Sequence, residues 1–278
     1  MSYGPDPWQQ AHWDWRAAGN FVCGGAGAGL LVFTALSGAA GLALTLLALA
    51  GMGLVGLGLL CVWLEIGRPW RAMNVMRRPG SSWMSREAMA APLVFILGLG
   101  VAAGVQAWTP LLLLAALGFL YCQARIVQAA KGIPAWRDPL TVPLLVVTGL
   151  AEGAGLFWLS GVAPARGAVL LVAIFAALLV GRWLLWRSWR DRLARVAAVP
   201  ALAAVDIAGR RLYWLGGALP LALALVAQYG APGSAFLLAA AGASAAAAGA
   251  FFKYTLITRA AFNQGFRVPH LPVRGVPR

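Results

Sequence analysis

The chain has 278 residues, of which 61% are hydrophobic and 11% charged, and its formal net charge at pH 7 is +14. Its mean hydropathy of +0.78 excludes an ordinary soluble domain. The basic excess would suit a nucleic-acid-binding protein, but the chain carries no nucleic-acid recognition motif, and the positions of the charges explain them differently.

Eight apolar runs follow one another along the chain, each long enough to cross about 30 Å of hydrocarbon as a helix. They lie near residues 17–37, 40–65, 87–107, 110–130, 139–161, 166–186, 211–230 and 234–256. Glycine and alanine are abundant in them, as expected where membrane helices pack closely. We therefore predict an all-α membrane protein, a polytopic bundle of eight transmembrane helices forming a single integral membrane domain over residues 1–278.

The basic residues indicate how the bundle is oriented. With eight spans, both termini share one side of the membrane with the loops after the second, fourth and sixth runs. Of the 22 Lys and Arg residues, only Arg166 falls in a loop on the opposite side. The positive-inside rule then predicts that both termini are cytoplasmic, in the cytoplasmic (inner) membrane. The charge reflects topology, so we expect the lipid bilayer and no nucleic acid as a partner.

A basic segment at 181–205 extends the sixth run. We predict an amphipathic interfacial helix, interrupted by Pro200, that lies on the lipid or forms part of a docking face for a cytosolic partner. Asp206 follows this segment, and we expect it to be a helix cap or the partner of Arg210 or Arg211.

Few side chains are suited to holding a redox group. The two histidines, His12 and His270, lie outside every apolar run, which argues against a haem held by a buried axial pair. Cys23, Cys61 and Cys122 are isolated and lack metal-ligand spacing. We therefore predict neither haem nor metal in this chain.

Three glutamates stand out among the eight acidic residues. Glu65 ends the second run, where a salt bridge to Arg68 would give it a purely structural role. Glu87 opens the third run, where a carboxylate suits the positive end of the helix dipole. Glu152 lies roughly 15 Å into the fifth run by helical rise. A carboxyl at that depth must be protonated or paired, and we expect it to support packing or a proton path.

Four stretches of the chain carry a family resemblance. The stretch EIGRPWRAMNVMRRPGSSWMSRE follows the second run, and WDWRAAGNFVCGGAGAGL stands near the N-terminus. GIPAWRDPLTVPLLVVTGLAEGAGL (132–156) and TRAAFNQGFRVPHLPVRG (258–275) complete the set. Together they resemble the membrane anchor subunit of dimethyl sulfoxide reductase, within the wider polysulfide reductase membrane-subunit family. GRPWRAMNV and GIPAWRDPL also resemble each other weakly, which indicates two four-helix halves.

The resemblance implies a quinone-binding anchor. Such anchors bind ubiquinone or menaquinone near the face on which a four-cluster iron–sulfur subunit docks, and that subunit exchanges electrons with a molybdopterin catalytic subunit. On this sequence the resemblance assigns quinone binding to Gly67, Arg71, Asn74 and Glu87, and proton transfer to Glu87 and Glu65. Glu65 stands where the dimethyl sulfoxide reductase anchor has histidine, which is a departure from the family pattern.

The predicted orientation adds a distinction within the family. The dimethyl sulfoxide reductase anchor faces its partners outward, whereas the anchors of phenylacetyl-CoA:acceptor oxidoreductase and cytoplasmic sulfite dehydrogenase face the cytoplasm. We favour a complex of the second kind, which feeds electrons from a cytosolic substrate into the quinone pool. Glu152 is expected not to contact the quinone. A secondary transporter and a purely structural anchor without quinone are the alternatives.

Overall fold

The computed structural model describes residues 6–66, 74–165, 167–229 and 233–265. Within these residues eight helices are long and apolar enough to span a membrane, which confirms the predicted all-α membrane fold. They are α1 Trp15–Leu36, α2 Gly41–Glu65, α3 Trp83–Ala102, α4 Gln106–Ala129, α5 Thr141–Leu159, α6 Ala168–Leu193, α7 Val199–Gln228 and α8 Ser234–Thr258.

The start of α7 differs most from the sequence prediction. α6 ends at Leu193 and α7 begins at Val199, so the break in the basic segment precedes Pro200. Pro200 lies in the first turn of α7, where its missing N–H costs no helical hydrogen bond, and the expectation that it interrupts a helix is wrong. α7 has 30 residues, or about 45 Å, which exceeds the hydrocarbon thickness.

Asp206 connects the start of α7 to the end of α6. Its carboxylate accepts two hydrogen bonds from Arg190, from Nε and from one terminal nitrogen, each of 2.8 Å. The expected pairing with Arg210 or Arg211 is therefore wrong. The antiparallel packing of α6 on α7 brings Arg190 to Asp206 in a two-pronged geometry that a neighbour on the same helix does not offer.

The start of α3 also differs from the prediction. Ser82 caps the helix by accepting a hydrogen bond from the backbone N–H of Ser85 at 3.4 Å, and helical structure begins at Trp83. Glu87 therefore lies in the second turn and is buried, so the expectation that it meets the helix dipole at the first turn is wrong. The polar residues of the first turn lowered the local hydropathy and concealed the true start.

α1 and α5 form the centre of the bundle. α1 packs against α2, α4 and α5, while α5 packs against α1, α4, α6 and α8. Their backbones touch at glycines: a Cβ on Gly153 would overlap the backbone of Gly29, and a Cβ on Gly29 would overlap the carbonyl of Gly149. We call these three residues the α1–α5 seam. α5 and α8 meet in the same way at Gly155 and Gly242, as small residues allow in membrane bundles.

α1 and α7 each contain a π-helical section, at Asn20–Gly24 and Trp214–Ala218. The wider π turn changes the hydrogen-bond pattern of the helix and exposes carbonyls to other donors, and such turns are frequent at functional sites.

The two ends of the described chain lie together. Gln9 forms an isolated antiparallel bridge with Phe262, and the N–H of Gln10 donates to the carbonyl of Ala261 at 2.9 Å. The segments before α1 and after α8 therefore share one end of the bundle, as an even number of antiparallel spans requires.

Candidate functional site

The described part of the chain contains three of the predicted site residues. Glu65 ends α2, Glu87 lies in the second turn of α3, and Asn74 lies in a short 3-10 turn between them. Asn74 is exposed, and it does not line either of the cavities described below. Gly67 and Arg71 lie outside the described residues.

Glu65 and Glu87 line one cavity, which we call the inner cavity. Its volume is about 250 Å³, and its walls come from the segment before α1 and from α1, α2, α3 and α4. Glu87 is 6% exposed, whereas Glu65 is partly exposed. The α2–α3 hairpin thus brings both carboxyls to one space at the end of the bundle that holds the two terminal segments.

A second cavity, the outer groove, adjoins the inner cavity. Its volume is about 340 Å³, and its lining is apolar except for Glu87. The two spaces share Glu87, Val62, Ile66 and Met84. Trp63, also in the lining, is 43% exposed on the outer surface of the bundle. The outer groove therefore opens between α2 and α3 towards the lipid, with Glu87 in the wall between the two spaces.

Glu87 receives its hydrogen bond from α1. Its Oε1 accepts from Nδ2 of Asn20, at 3.4 Å, and Asn20 is buried in the π-helical section. Nε2 of Gln123, on α4, donates to the Asn20 backbone carbonyl at 3.1 Å and to Asn20 Oδ1 at 3.3 Å. Among the described residues nothing donates to the buried Oε1 of Gln123. The sequence prediction missed both amides, although an amide inside an apolar run is itself a signal.

The end of α2 is tied to the start of α1. Arg16 donates to the carbonyl of Leu64 at 3.0 Å and forms a salt bridge with Asp14 at 2.9 Å. The Arg16 side chain lowers the pKa of Asp14 by hydrogen bonding to it. Arg68, the predicted salt-bridge partner of Glu65, lies outside the described residues.

Glu152 is paired, as expected from its depth. Its Oε2 lies 2.5 Å from Nζ of Lys253 on α8, and both side chains are almost fully buried. Lys253 also donates to the carbonyl of Phe21, at 2.9 Å, in the π-helical section of α1. This ion pair therefore joins α1, α5 and α8 in the middle of the bundle.

A third charge, Arg182 of α6, lies beside this pair and is 1% exposed. It donates to the carbonyl of Gly216 at 2.5 Å, in the π-helical section of α7, and to that of Ala245 at 3.3 Å. We call Glu152, Arg182 and Lys253 the buried charge cluster. The sequence prediction counted Arg182 and Lys253 among the charges on or near the cytoplasmic side, and it did not foresee that both are buried in the bundle.

The described residues contain no group of three or more His, Cys, Asp or Glu side chains placed to hold a metal ion. The cysteines Cys23, Cys61 and Cys122 are free thiols.

Comparison with known proteins identifies the family. Residues 42–231 match the family described as "DMSO reductase anchor subunit (DmsC)". A stretch of 128 residues is 31% identical to a sulfite dehydrogenase subunit of Allochromatium vinosum, covering 39% of this chain and 37% of that relative. The matched region is thus little more than a third of the relative's length. Because the family match extends over more than half of the chain, this protein belongs to the DMSO reductase anchor subunit family, whose members are membrane anchor subunits of oxidoreductase complexes.

Proposed function

We propose that this protein is the quinone-binding anchor of a molybdopterin and iron–sulfur oxidoreductase, passing electrons between a partner's iron–sulfur cluster and the membrane quinone pool. The observation that carries the proposal is the meeting of Glu65 and Glu87 in one cavity at the end of the α2–α3 hairpin. A quinone beside Glu87 takes up two electrons and two protons to become a quinol, and Glu65 and Glu87 can supply the protons.

The surroundings of Glu87 fit a quinone. The outer groove, at about 340 Å³, lies within the range of about 300–1,000 Å³ typical of small-molecule sites. Its apolar walls suit a quinone ring and an isoprenoid tail, and its opening towards lipid allows entry from within the membrane. Met84 and Trp63, each 43% exposed, flank that opening.

Each carboxyl has a distinct part in this proposal. Asn20 occupies Oε1 of Glu87, so Oε2 is the oxygen that holds or releases a proton beside the quinone. Glu65 is partly exposed at the end of α2 and exchanges protons between the inner cavity and the aqueous face.

The remaining assignments rest on the family resemblance. Arg71 would orient a quinone carbonyl, and Gly67 would let the head group approach the backbone closely. Asn74, exposed and outside both cavity linings, has only the resemblance in favour of a binding role.

We propose further that both termini and the partner subunits lie on the cytoplasmic side. The basic residues support this orientation by the positive-inside rule. The relative from Allochromatium vinosum, named as part of a sulfite dehydrogenase, supports a complex that oxidises its substrate and delivers the electrons to quinone.

Glu87→Gln tests the proposal in the purified complex. We expect the iron–sulfur and molybdenum partners to co-purify normally, while quinone turnover per assembled complex falls by about 10²-fold to 10⁴-fold, as for loss of a general acid or base. Glu65→Gln should impair turnover less, because Glu65 departs from the family pattern. Asp206→Asn, a matched change of acid to amide at the α6–α7 contact, is the control and should leave turnover unchanged.

Two results would contradict the proposal. Normal turnover per complex with poor assembly in Glu87→Gln would assign the carboxyl a structural role. If the lipid extract of the purified complex contained no quinone and the complex reduced none, the protein would be a purely structural anchor.

A further inference from the structure

We propose that Lys253, held by Glu152, positions Glu87 through a chain of hydrogen bonds that includes one ordered water, Gln123 and Asn20, and in which every donor from Lys253 to Asn20 points towards the Glu87 carboxylate. The inference rests on the proposed function, because it assigns a supporting structure to the carboxyl at the quinone. Gln123, Lys253 and Glu152 line neither the inner cavity nor the outer groove, so they are positioning residues.

The orientation of the two amides follows from one backbone atom. The carbonyl oxygen of Asn20 can only accept, so the Gln123 atom 3.1 Å from it must be the amide nitrogen. That nitrogen also lies 3.3 Å from the Asn20 side chain, which must therefore present its oxygen. The Asn20 nitrogen then faces Oε1 of Glu87. Neither amide can flip without placing two acceptors or two donors against each other.

The other end of the chain reaches the buried charge cluster. With its nitrogen committed to Asn20, Gln123 turns its oxygen towards Gly25, where a Cβ would lie 3.6 Å from Oε1 and would overlap Nζ of Lys253. Both atoms thus approach the same point beside α1. A cavity of about 10 Å³ is lined by Gln123 and Lys253, together with Phe21, Leu120, Ala124 and Leu145. That volume is about the minimum that holds one water.

Within the described structure, Lys253 has a donor left over, and Gln123 has an acceptor left over. A lysine ammonium has three donors, and the structure gives two of them partners among the described residues, Glu152 and the carbonyl of Phe21. Oε1 of Gln123 is buried and receives no donor from those residues. One water in the cavity would accept from Lys253 and donate to Gln123, satisfying both groups.

The completed chain runs from Lys253 through the water, Gln123 and Asn20 to Glu87. Each bond donates in the same direction, and a buried cation at its head polarises the bonds that follow in the low-dielectric interior. Glu152 offsets the cost of burying that cation. The arrangement keeps Oε1 of Glu87 as an acceptor and leaves Oε2 as the oxygen that exchanges a proton.

Two glycines of α1, Gly24 and Gly25, leave space for the side chains that form this hydrogen-bond chain. A Cβ on Gly24 would overlap the amide nitrogen of Gln123, as a Cβ on Gly25 would overlap the Lys253 ammonium. Gly24→Ala therefore displaces the flexible Gln123 amide without removing any polar group.

The test uses the assembled complex and two readouts, quinone turnover and the redox-induced infrared difference spectrum. The carboxyl band of Glu87 is assigned by its loss in Glu87→Gln. Gln123→Met removes the link while keeping side-chain length, and the double variant Glu152→Gln with Lys253→Met removes the Lys253 cation together with its anion, leaving Arg182 bonded to the carbonyls of Gly216 and Ala245. Gln128→Met, the same change on the same helix, is the control.

We expect Gln123→Met and the double variant to shift the Glu87 band and to lower turnover per complex by about tenfold to 100-fold, as for a misplaced catalytic group. Gln128→Met should change neither readout. If Gln123→Met does not assemble, Gly24→Ala is read for the same band shift.

If the Glu87 band did not shift in assembled Gln123→Met or Gly24→Ala, the positioning chain would be wrong. Lost turnover in Glu87→Gln would then still support the quinone site. Normal turnover in Glu87→Gln would overturn both together.

Discussion

Neutralising Glu152 alone should destabilise the bundle more than neutralising Glu152 and Lys253 together. Removing one partner of a buried ion pair costs about 3–5 kcal/mol, whereas replacing both by groups of similar volume is often close to neutral. The charges around Lys253 and Glu152 determine which single variant loses more stability. A Cβ on Gly249 would lie 2.7 Å from Oε1 of Glu152 and 3.0 Å from one Arg182 nitrogen, so Glu152 has a second cation close by.

Lys253→Met leaves Glu152 with Arg182 still beside it, and we expect a loss near the lower end, about 3 kcal/mol. Glu152→Gln leaves two buried cations with no anion beside them in the described structure, and we expect about 5 kcal/mol. In the double variant only one cation of the buried charge cluster remains, and Arg182 keeps its bonds to the carbonyls of Gly216 and Ala245, so the loss should be smaller than in Glu152→Gln.

The free energy of unfolding can be followed by tryptophan fluorescence during titration of mild-detergent micelles with a denaturing detergent. Lys131→Met, the same substitution at an exposed lysine, is the matched control and should stay within about 0.5 kcal/mol of the parent protein. If Lys253→Met were as stable as Lys131→Met, the buried charge pair would not exist as described. A double variant less stable than Glu152→Gln would refute the ordering.

Three further predictions concern packing, surface charge and topology. Gly153→Ala should cost about 1–3 kcal/mol by overpacking the α1–α5 seam, whereas Gly118→Ala, with nothing within 4 Å of the new methyl, should be tolerated; equal stability of the two would contradict the seam. Asp206→Ala should cost no more than about 1 kcal/mol, because the salt bridge to Arg190 is partly exposed, and a larger loss would show that this contact holds the bundle together. A reporter fused after Arg278 should be active only in the cytoplasm, and periplasmic activity would overturn the proposed orientation.

The helices could be predicted from the sequence because a membrane span must satisfy its backbone hydrogen bonds internally and present apolar side chains to lipid. Where a helix extends beyond the apolar region, hydropathy no longer defines its end. Arg210 and Arg211 concealed the first half of α7, and Ser85 and Arg86 concealed the first turn of α3. In these places the positions of Pro200 and Ser82 were better guides to the helix start than hydropathy.

The site was only partly predictable. Glu65 and Glu87 lie at the end of α2 and near the start of α3, two consecutive helices, so the helix ends alone bring them close together. Asn20, Gln123 and Lys253 are each separated from their partners by 67 or more residues, and only the packing of α1 against α4 and α8 joins them. Counting charges by loop also assigns no depth to a lysine or arginine, which is why the buried cations were missed.

The α1–α5 seam has a mechanical consequence. Where backbone touches backbone, there are no side chains that could change rotamer or slide to absorb a displacement, so the two helices move as one body. Alternating access in a transporter needs one half of the bundle to rock against the other around a central site. Here that motion would first have to separate Gly29 from Gly149 and Gly153 along the central axis. A rigid α1–α5 contact suits the electron transfer proposed above, whose rate depends on a constant donor–acceptor distance.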